Sequence, residues 1–501
     1  MHWPVSRRRL SVGLNQGEAK ERSMEIWQMP ATDIARGVRT GAFSAVEATR
    51  SALARIAGVN TRVNALVEVR EDEALDAARK ADARLRHGHP VGPLHGVPVT
   101  FKVNTNLAGL PTTEGVAAYA DHIATETDPQ AASWLGAGAI FVGRTNCPPF
   151  ATRWTTQSDL YGATVNPWDP AVTPGGSSGG AAAAVAVGMC ALAQGSDIGG
   201  SIRYPAACCG VAGIRPTPGR VPAWAGSPSH DPPMAVQAFV EQGPLARNVA
   251  DLRLGLRAME VYDPRDPRAV PRPDRAHAGE GRPRVAVVTD PGGPGLRGSS
   301  TAESVDAART AAERLTAAGY QVDEVDLPLL GEAARLWWQL ALTEFAIGLT
   351  AEVERVGDQD FRRFFDLMYT VYREEFGEVD LAAFVAGWAR RGMLRREISV
   401  FMDRYPLVLT PVSGEPPFPM GSDTESAART AELMGRQWPL MSVPVLGLPA
   451  LGLPVAPTAG KAPVGVQVIG RPFDEDAVFA AAEVIEARSG LLTPVEPVGS
   501  A

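Results

Sequence analysis

The sequence predicts an α/β protein, a sheet wrapped by helices, and two observations carry that reading. Short apolar runs alternate with stretches of helical periodicity along most of the chain. Residues 181–193, A-A-A-A-V-A-V-G-M-C-A-L-A, are so uniformly small and apolar that a helix there must be buried all round. Taken in order, residues 31–57 and 72–86 have helical periodicity, and Ser44 with Glu47 three positions on is a capping-box signature. G-V-P-V-T-F-K (96–102) reads as a strand that ends in a lysine. A-A-S-W-L-G-A-G (131–138) closes a helix on glycine stops, and G-A-I-F-V-G-R-T (138–145) is the next strand. R-V-A-V-V-T-D (284–290) is a strand, 302–318 an alanine-rich helix, and the alternating Y-Q-V-D-E-V-D-L (320–327) another strand. Residues 331–403 are helical and aromatic-rich, with Trp337, Trp338, Phe345, Phe364, Phe365, Tyr369 and Tyr372. For any one of these, core packing is a plainer reading than a substrate contact. Y-P-L-V-L-T-P (405–411) and V-G-V-Q-V-I-G (464–470) are further strands, and the Pro/Arg/Asp-rich stretch at 262–283 is a surface loop.

The chain has 501 residues, 45% hydrophobic and 21% charged, which is ordinary globular composition and long enough to bury a core unaided. The formal net charge is −8 and no basic block dominates, so nucleic acid is not indicated as a partner. Cys147, Cys190, Cys208 and Cys209 form no C-x-x-C pair. They read as small buried hydrophobes in a reducing compartment, not as a disulfide framework or a zinc site. The opening M-H-W-P-V-S-R-R-R-L has twin arginines, but N-Q-G-E-A-K-E-R follows where a signal peptide needs an apolar stretch. Residues 1–23 are therefore expected to be a disordered leader or a mis-assigned start, with the folded region beginning at Met24. No run of 18 apolar residues suggests a membrane span, and a cytoplasmic location is the default expectation.

Chemistry concentrates in two serine motifs, P-G-G-S-S-G-G (174–180) and D-I-G-G-S-I-R-Y-P (197–205). Gly175–Gly179 formally matches the nucleophile elbow G-x-S-x-G around Ser177. An elbow should follow an apolar strand, whereas N-P-W-D-P-A-V-T-P comes before this one. The partner histidine should also come late, and none of His2, His87, His89, His95, His122, His230 and His277 does. A neutral lysine can take a serine proton instead, if burial lowers its pKa from about 10.4. Lys102 is the candidate: it ends an apolar strand in a lysine-poor chain, with only Lys80 nearby. A solvated strand terminus is the competing reading. Phosphate binding by the glycine-rich loop is disfavoured because no G-K-[ST] follows.

G-V-P-V-T-F-K, P-G-G-S-S-G-G and G-S-D-I-G-G-S-I-R-Y-P-A-A-C-C-G-V-A-G-I-R-P-T (195–217) together resemble the amidase signature family. The resemblance runs along most of residues 24–490, through V-G-R-T-N-C-P-P-F-A (142–151), Y-G-A-T-V-N-P-W-D (161–169), G-P-L-A-R-N-V-A-D (243–251) and P-V-G-V-Q-V-I-G-R-P-F (463–473). It implies one large α/β domain over 24–490, followed by a tail at 491–501. Its mixed, mostly parallel sheet of about eleven strands would be covered by helices on both faces. The signature core would span about 90–250 and a helical, aromatic-rich insertion about 331–403. Carried over residue by residue, Ser201 corresponds to the nucleophile, Lys102 to the base, and Ser177 to a bridging serine that follows a cis peptide bond. The backbone N–H groups of Ile198, Gly199, Gly200 and Ser201 correspond to the oxyanion hole, which needs the tight bend that Gly199 and Gly200 permit. Ser178, Asp197 and Arg203 match supporting positions. Neither cofactor nor metal is implied. Two departures stand out: Lys102-Val103 replaces the family's usual Lys-Asp, and Pro444 stands where many members carry asparagine.

The implied reaction is hydrolysis of an amide through an acyl-enzyme. The stretches expected to line the pocket, 337–345, 365–376 and 438–446, are apolar and aromatic, with no evident clamp for a carboxylate. This favours a neutral, apolar or aryl amide as the small-molecule substrate, with esters and carbamates also fitting. The alternatives are a carbamate (urethane) hydrolase, and the amide-hydrolysing subunit of an amidotransferase, which works in a complex. A catalytically silent binding protein is set aside because Lys102, Ser177 and Ser201 are all present. The enzyme is expected to work as a monomer or homodimer.

Overall fold

The structure is a computed structural model, and it describes residues 24–224, 232–270, 281–292, 299–458, 461–490 and 493–498. The expected leader lies outside the described residues, as do 271–280 of the expected loop and 491–492 and 499–501 of the expected tail. The described strands are β1 (Leu66–Val69), β2 (Pro98–Lys102), β3 (Ile140–Thr145), β4 (Gln157–Ser158), β5 (Gly162–Ala163), β6 (Leu192–Asp197), β7 (Ala212–Arg215), β8 (Glu241–Ala246), β9 (Val285–Val287), β10 (Val322–Glu324), β11 (Leu407–Pro411), β12 (Ala450–Thr458) and β13 (Lys461–Gly470). Eleven of them form one sheet in the order β1-β3-β2-β6-β8-β7-β12-β13-β11-β9-β10, and β4 and β5 pair separately.

The expected mixed sheet of eleven strands is present, with a smaller parallel share than anticipated. Four neighbouring pairs are parallel, β2 with β3 and β6, and β9 with β10 and β11. The other six are antiparallel. Helical crossovers produce parallel pairs, as helix Pro129–Gly136 does between β2 and β3 and helix Ala302–Ala317 between β9 and β10. Direct connections such as β12 to β13 produce antiparallel ones.

One predicted element is corrected. The helix expected over 181–193 spans Gly179–Ala186, and Leu192–Asp197 is already strand β6. Gly188 takes a left-handed φ of 79° and breaks the helix. Both segments are buried at every position, so no periodicity marks where one ends and the other begins.

Alternate residues of the strands feed two hydrophobic cores, one on each face of the sheet. Val285, Val287, Leu407, Leu409, Val466 and Val468 join the core under helices Ala45–Val63, Gly179–Ala186 and Glu475–Glu486. Ala286, Val408 and Ile469 point the other way, into a core rich in aromatic side chains. That second core is built largely by the predicted helical region, which forms helices Pro328–Gly348, Thr350–Val356, Gln359–Phe376 and Leu381–Arg404.

Because β2 and β6 are parallel neighbours, with Val99 beside Leu192, their C-terminal ends lie together. Lys102 ends the first and Asp197 the second, so the lysine and the D-I-G-G-S loop meet at one edge, where ligands of parallel sheets bind. Helix Gly179–Ala186 brings the other serine motif there by packing extremely close to its neighbours. A Cβ on Gly180 would lie 2.5 Å from Asn146 N and 2.8 Å from Ala65 O, both backbone atoms that cannot swing aside. Gly58, exposed inside helix Ala45–Val63, has nothing within 4 Å of the same position. Opposite effects follow: Gly180→Ala should cost about 1–3 kcal/mol through overpacking, and Gly58→Ala should stabilise by about 0.5–1 kcal/mol through helix propensity. Denaturant midpoints of the two variants check the signs.

Candidate active site

Lys102 is wholly buried at the end of β2. Its Nζ donates to Ser177 Oγ at 2.6 Å and to Ser196 Oγ at 3.2 Å, and its backbone N–H donates to Gln194 Oε1 at 3.2 Å. Gln194 and Ser196 are two apart on β6 and so share the face turned to the lysine. Burial pushes the Lys102 amine down to about 8, against the upward pull of Asp197 and Glu114. The buried Cys147 thiol is itself pushed up to about 12 by desolvation and carries no charge near neutral pH. Val103, where the family has an acid, is buried and donates its N–H to Thr145 O at 3.1 Å.

The Gly176–Ser177 peptide bond is cis, as the resemblance implied. Ser178 then starts helix Gly179–Ala186, donating its N–H to Ser201 O at 3.2 Å and its Oγ to Ser196 O at 3.5 Å. The two serine motifs are thus stitched together through Ser178. Ser201 Oγ has no hydrogen-bond partner among the described residues, and Ser201 lines a cavity.

Asp197 holds the loop that carries Ser201. Its carboxylate accepts from Gly200 N at 2.7 Å, Ile202 N at 3.2 Å, Arg203 Nε at 3.0 Å and Arg203 Nη2 at 2.9 Å. Burial would push this carboxyl up, but the Arg203 charge and its hydrogen bonds, with Arg215 behind them, hold it at about 2. Arg203 also donates to Gln467 Oε1 at 2.7 Å and to Leu440 O at 3.0 Å, which ties the loop to β13 and to helix Trp438–Leu446. Pro444, the other departure, sits inside that helix and does not line the cavity.

Of the four N–H groups that the resemblance maps to an oxyanion hole, one is already occupied. Gly200 N–H is committed to Asp197, because the loop turns through Gly200 at φ 100° and brings that donor onto the carboxylate. The N–H groups of Ile198, Gly199 and Ser201 have no hydrogen-bond partner among the described residues. Two tryptophans aim the intervening peptide planes. Trp337 Nε1 donates to Ile198 O at 2.9 Å and Trp154 Nε1 to Gly199 O at 3.2 Å. A carbonyl and the next N–H point opposite ways in a trans peptide. Anchoring Ile198 O therefore sets the direction of Gly199 N–H.

The cavity beside Ser201 encloses about 40 Å³. Its wall is aromatic, with Trp154, Trp337, Trp338, Phe345 and Phe364, and is completed by Leu342, Met368 and Met441. Phe365, Tyr369 and Tyr372 are core residues, as the plainer reading had it. A second cavity of about 220 Å³, between Arg247, Asn248 and Glu486, contains none of the two motifs' serines and not Lys102. Among the described residues no cluster of three or more His, Cys, Asp or Glu could hold a metal ion, and no helix is long and apolar enough to cross a membrane.

The amidase family model matches residues 47–479. The chain belongs to the amidase signature family. An indoleacetamide hydrolase of Bradyrhizobium diazoefficiens is 41% identical over 93% of this chain and 88% of its own. A glutamyl-tRNA(Gln) amidotransferase subunit from Chloroflexus aurantiacus is 32% identical over 90% of this chain and 94% of its own. Among solved structures, a bacterial aryl acylamidase superposes with a TM-score of 0.75 at 25% identity, covering 93% of this chain and 96% of that one. A 6-aminohexanoate cyclic dimer hydrolase reaches 0.78 at 25% identity, covering 95% and 99%. This amidase is an amide-hydrolysing enzyme.

Several residues join the site without a signal in the sequence as read above. Ser196 and Gln194 follow from the alternation of β6, but only once the start of that strand is known. Half-buried Glu114, held at φ 50° beside Gly115, comes near Lys102 only through the fold. Trp154 and Arg153 lie between the family motifs. Two outcomes are expected. With Lys102 read as the base, the acid limb of kcat/KM should lie near pH 8, and Glu114→Gln should move it to lower pH by removing a charge that favours the ammonium. Trp337→Phe, which removes only the indole N–H and part of the ring, should lower kcat about tenfold, below the full loss of an oxyanion donor.

Proposed function

We propose that this amidase hydrolyses neutral aryl or apolar amides through an acyl-enzyme on Ser201, with Ser177 and Lys102 as proton relay. The observation that carries this is the 2.6 Å contact between Ser177 Oγ and a buried lysine amine pushed down to about 8, beside an aromatic cavity. Neutral Lys102 Nζ takes the proton of Ser177, and Ser177 Oγ takes that of Ser201 once the Ser201 hydroxyl rotates toward it. Ser201 Oγ bonds to the amide carbon, and the oxygen's developing charge meets the free N–H groups of Ile198, Gly199 and Ser201. The relay runs backward to protonate the leaving nitrogen, the C–N bond breaks, and an amine or ammonia departs. Water repeats the cycle on the ester and releases the acid. Ser178, Asp197 and Arg203 support this by holding the two loops together.

The similarity to an indoleacetamide hydrolase supports an arylacetamide as substrate, with ammonia as the leaving group. Esters and carbamates place the same carbonyl in the same hole and are proposed as further substrates. An amidotransferase subunit would need charged partners for the ammonium and carboxylate of glutamine. Among the described residues the one charged side chain in the cavity wall, Arg153, is already paired with Asp423.

A fluorophosphonate should place its adduct on Ser201 by peptide mass spectrometry, and Ser201→Ala should abolish turnover of phenylacetamide. An adduct on Ser177 alone, or activity surviving in Ser201→Ala, would sink the assignment. Turnover should persist in EDTA, and phenylacetamide should outpace free glutamine as substrate for the isolated chain.

A further inference from the structure

Helix Leu381–Arg404 is apolar on two sides, and the rest of the chain covers one of them. Leu394, Ile398 and Met402 enter the aromatic core. Buried Gly387 lies so close to helix Pro328–Gly348 that a Cβ on it would sit 3.0 Å from Leu340 and 3.3 Å from Leu336. On the opposite side Leu381, Val385, Met393 and Val400 are 77%, 57%, 48% and 62% exposed. Ala389 and Gly392, also exposed, lie between them, and all six fall at helical spacing on one face. A surface helix normally turns a polar face to water. Apolar side chains scattered singly over a surface need no explanation, but a run of them along one helix marks a place where something docks.

The charges at the two ends of this face show what fits it. Arg396 follows the apolar stretch Leu381–Met393, and Glu378 precedes it, just before the helix N-cap Asp380. Arg390 on the same helix is neutralised by Glu332 and Glu397. Arg396 and Glu378 are exposed and make no ion pair among the described residues. Each is nine residues from Gly387, the midpoint of the apolar stretch, in opposite directions. A second copy of the helix, run antiparallel across a two-fold axis at that level, meets every residue with the one equally far on the other side. Arg396 of each copy then comes to the partner's Glu378, and the apolar stretch covers itself. Parallel helices would set Arg396 against its own twin. Ala389 and Gly392 near the middle let the two helix axes approach closely. A bilayer fits less well, because Glu378 and Asp380 repel anionic headgroups and the six face residues include no Trp or Phe to anchor in the interface.

We propose that this face of helix Leu381–Arg404 joins two copies of the chain in an antiparallel, two-fold symmetric dimer, with Arg396 of each copy paired to the partner's Glu378. The interface is independent of the Ser201 chemistry: none of its residues belongs to the relay, the serine loops or the cavity wall.

Sedimentation velocity of the full chain across the micromolar range should show a monomer–dimer equilibrium. Ala389→Glu, which sets two like charges close to the axis, should weaken it by at least about tenfold. Arg396→Glu and Glu378→Arg should each weaken it, and the two combined should restore it, because the pair is then reversed across the axis. The four native cysteines are buried, so Ala389→Cys supplies an exposed thiol without competition from them. A short bismaleimide should join that thiol to its twin, and should not join Ile123→Cys, made at another exposed position. This arm introduces no charge and decides the matter even if Ala389→Glu does not fold. A monomer at every concentration overturns the proposal. So do a dimer indifferent to Ala389→Glu, a double reversal that fails to restore association, an Ala389→Cys chain that is not joined, or equal joining at Ile123→Cys. A monomeric chain that binds phosphatidylcholine–phosphatidylglycerol vesicles, and loses that binding in Ala389→Glu, overturns it in favour of a membrane surface.

Discussion

An amine taken out of water at the end of a strand is the constraint on which the rest depends. Lys102 has no solvent around it, and desolvation is the largest influence on its proton affinity. The fold achieves this by placing β2 between two parallel neighbours and closing its end with Ser177 of one serine motif and Ser196 of β6. Two hydroxyl oxygens are the only side-chain partners of Nζ among the described residues, and a hydroxyl stabilises an ammonium far less than a carboxylate does. A carboxylate at 2.6 Å would restore the charge and make the amine unfit for the proposed role of base. The nearby acids, Asp197 and Glu114, act on the lysine through space without a hydrogen bond to it.

Asp197 shows how one buried acid can be kept away from that lysine. Its negative charge is matched by Arg203 and backed by Arg215, and its oxygens are occupied by the N–H groups of the Ser201 loop. The carboxylate therefore spends its hydrogen-bonding capacity on shaping the loop. This explains why Gly200 N–H is diverted from the oxyanion position while Gly199 and Ser201 keep theirs free. Losing either member of the ion pair would strand a charge in a fully buried place, a far larger penalty than the pair's own net worth.

The sequence made the site legible because its chemistry is local: three glycine-bounded serine positions and one lysine in a lysine-poor chain. The absence of a late histidine and the proline-rich approach argued against the elbow reading of Ser177 without any coordinates. Much of the fold was legible too, wherever a strand or helix had one polar face. The failures have three separate causes. β6 follows helix Gly179–Ala186 in a region buried on all sides, where hydrophobic pattern carries no period. β7 and β8, A-G-I-R and E-Q-G-P-L-A, contain glycine or proline and read as turns in isolation. Arg153, Trp154 and Glu114 reach the site by loop conformation, including left-handed backbone at Glu114, Phe150 and Ala151, which no residue pattern announces.

The tryptophans join substrate shape to catalytic geometry. Trp154 and Trp337 form the cavity wall and at the same time anchor the carbonyls of Gly199 and Ile198. Trp337 comes from helix Pro328–Gly348, so the aromatic core on one face of the sheet sets the angle of peptide planes in the serine loop. A change at Trp337 then alters the direction of Gly199 N–H, a proposed oxyanion donor, as well as the pocket, whereas Trp154 orients the Gly200 N–H that Asp197 already holds. Phe345, Phe364 and Met368 line the same cavity without a hydrogen bond to the loop. In the proposed mechanism, substrate range can shift through those three positions at little catalytic cost, whereas Trp337 is bound to the chemistry.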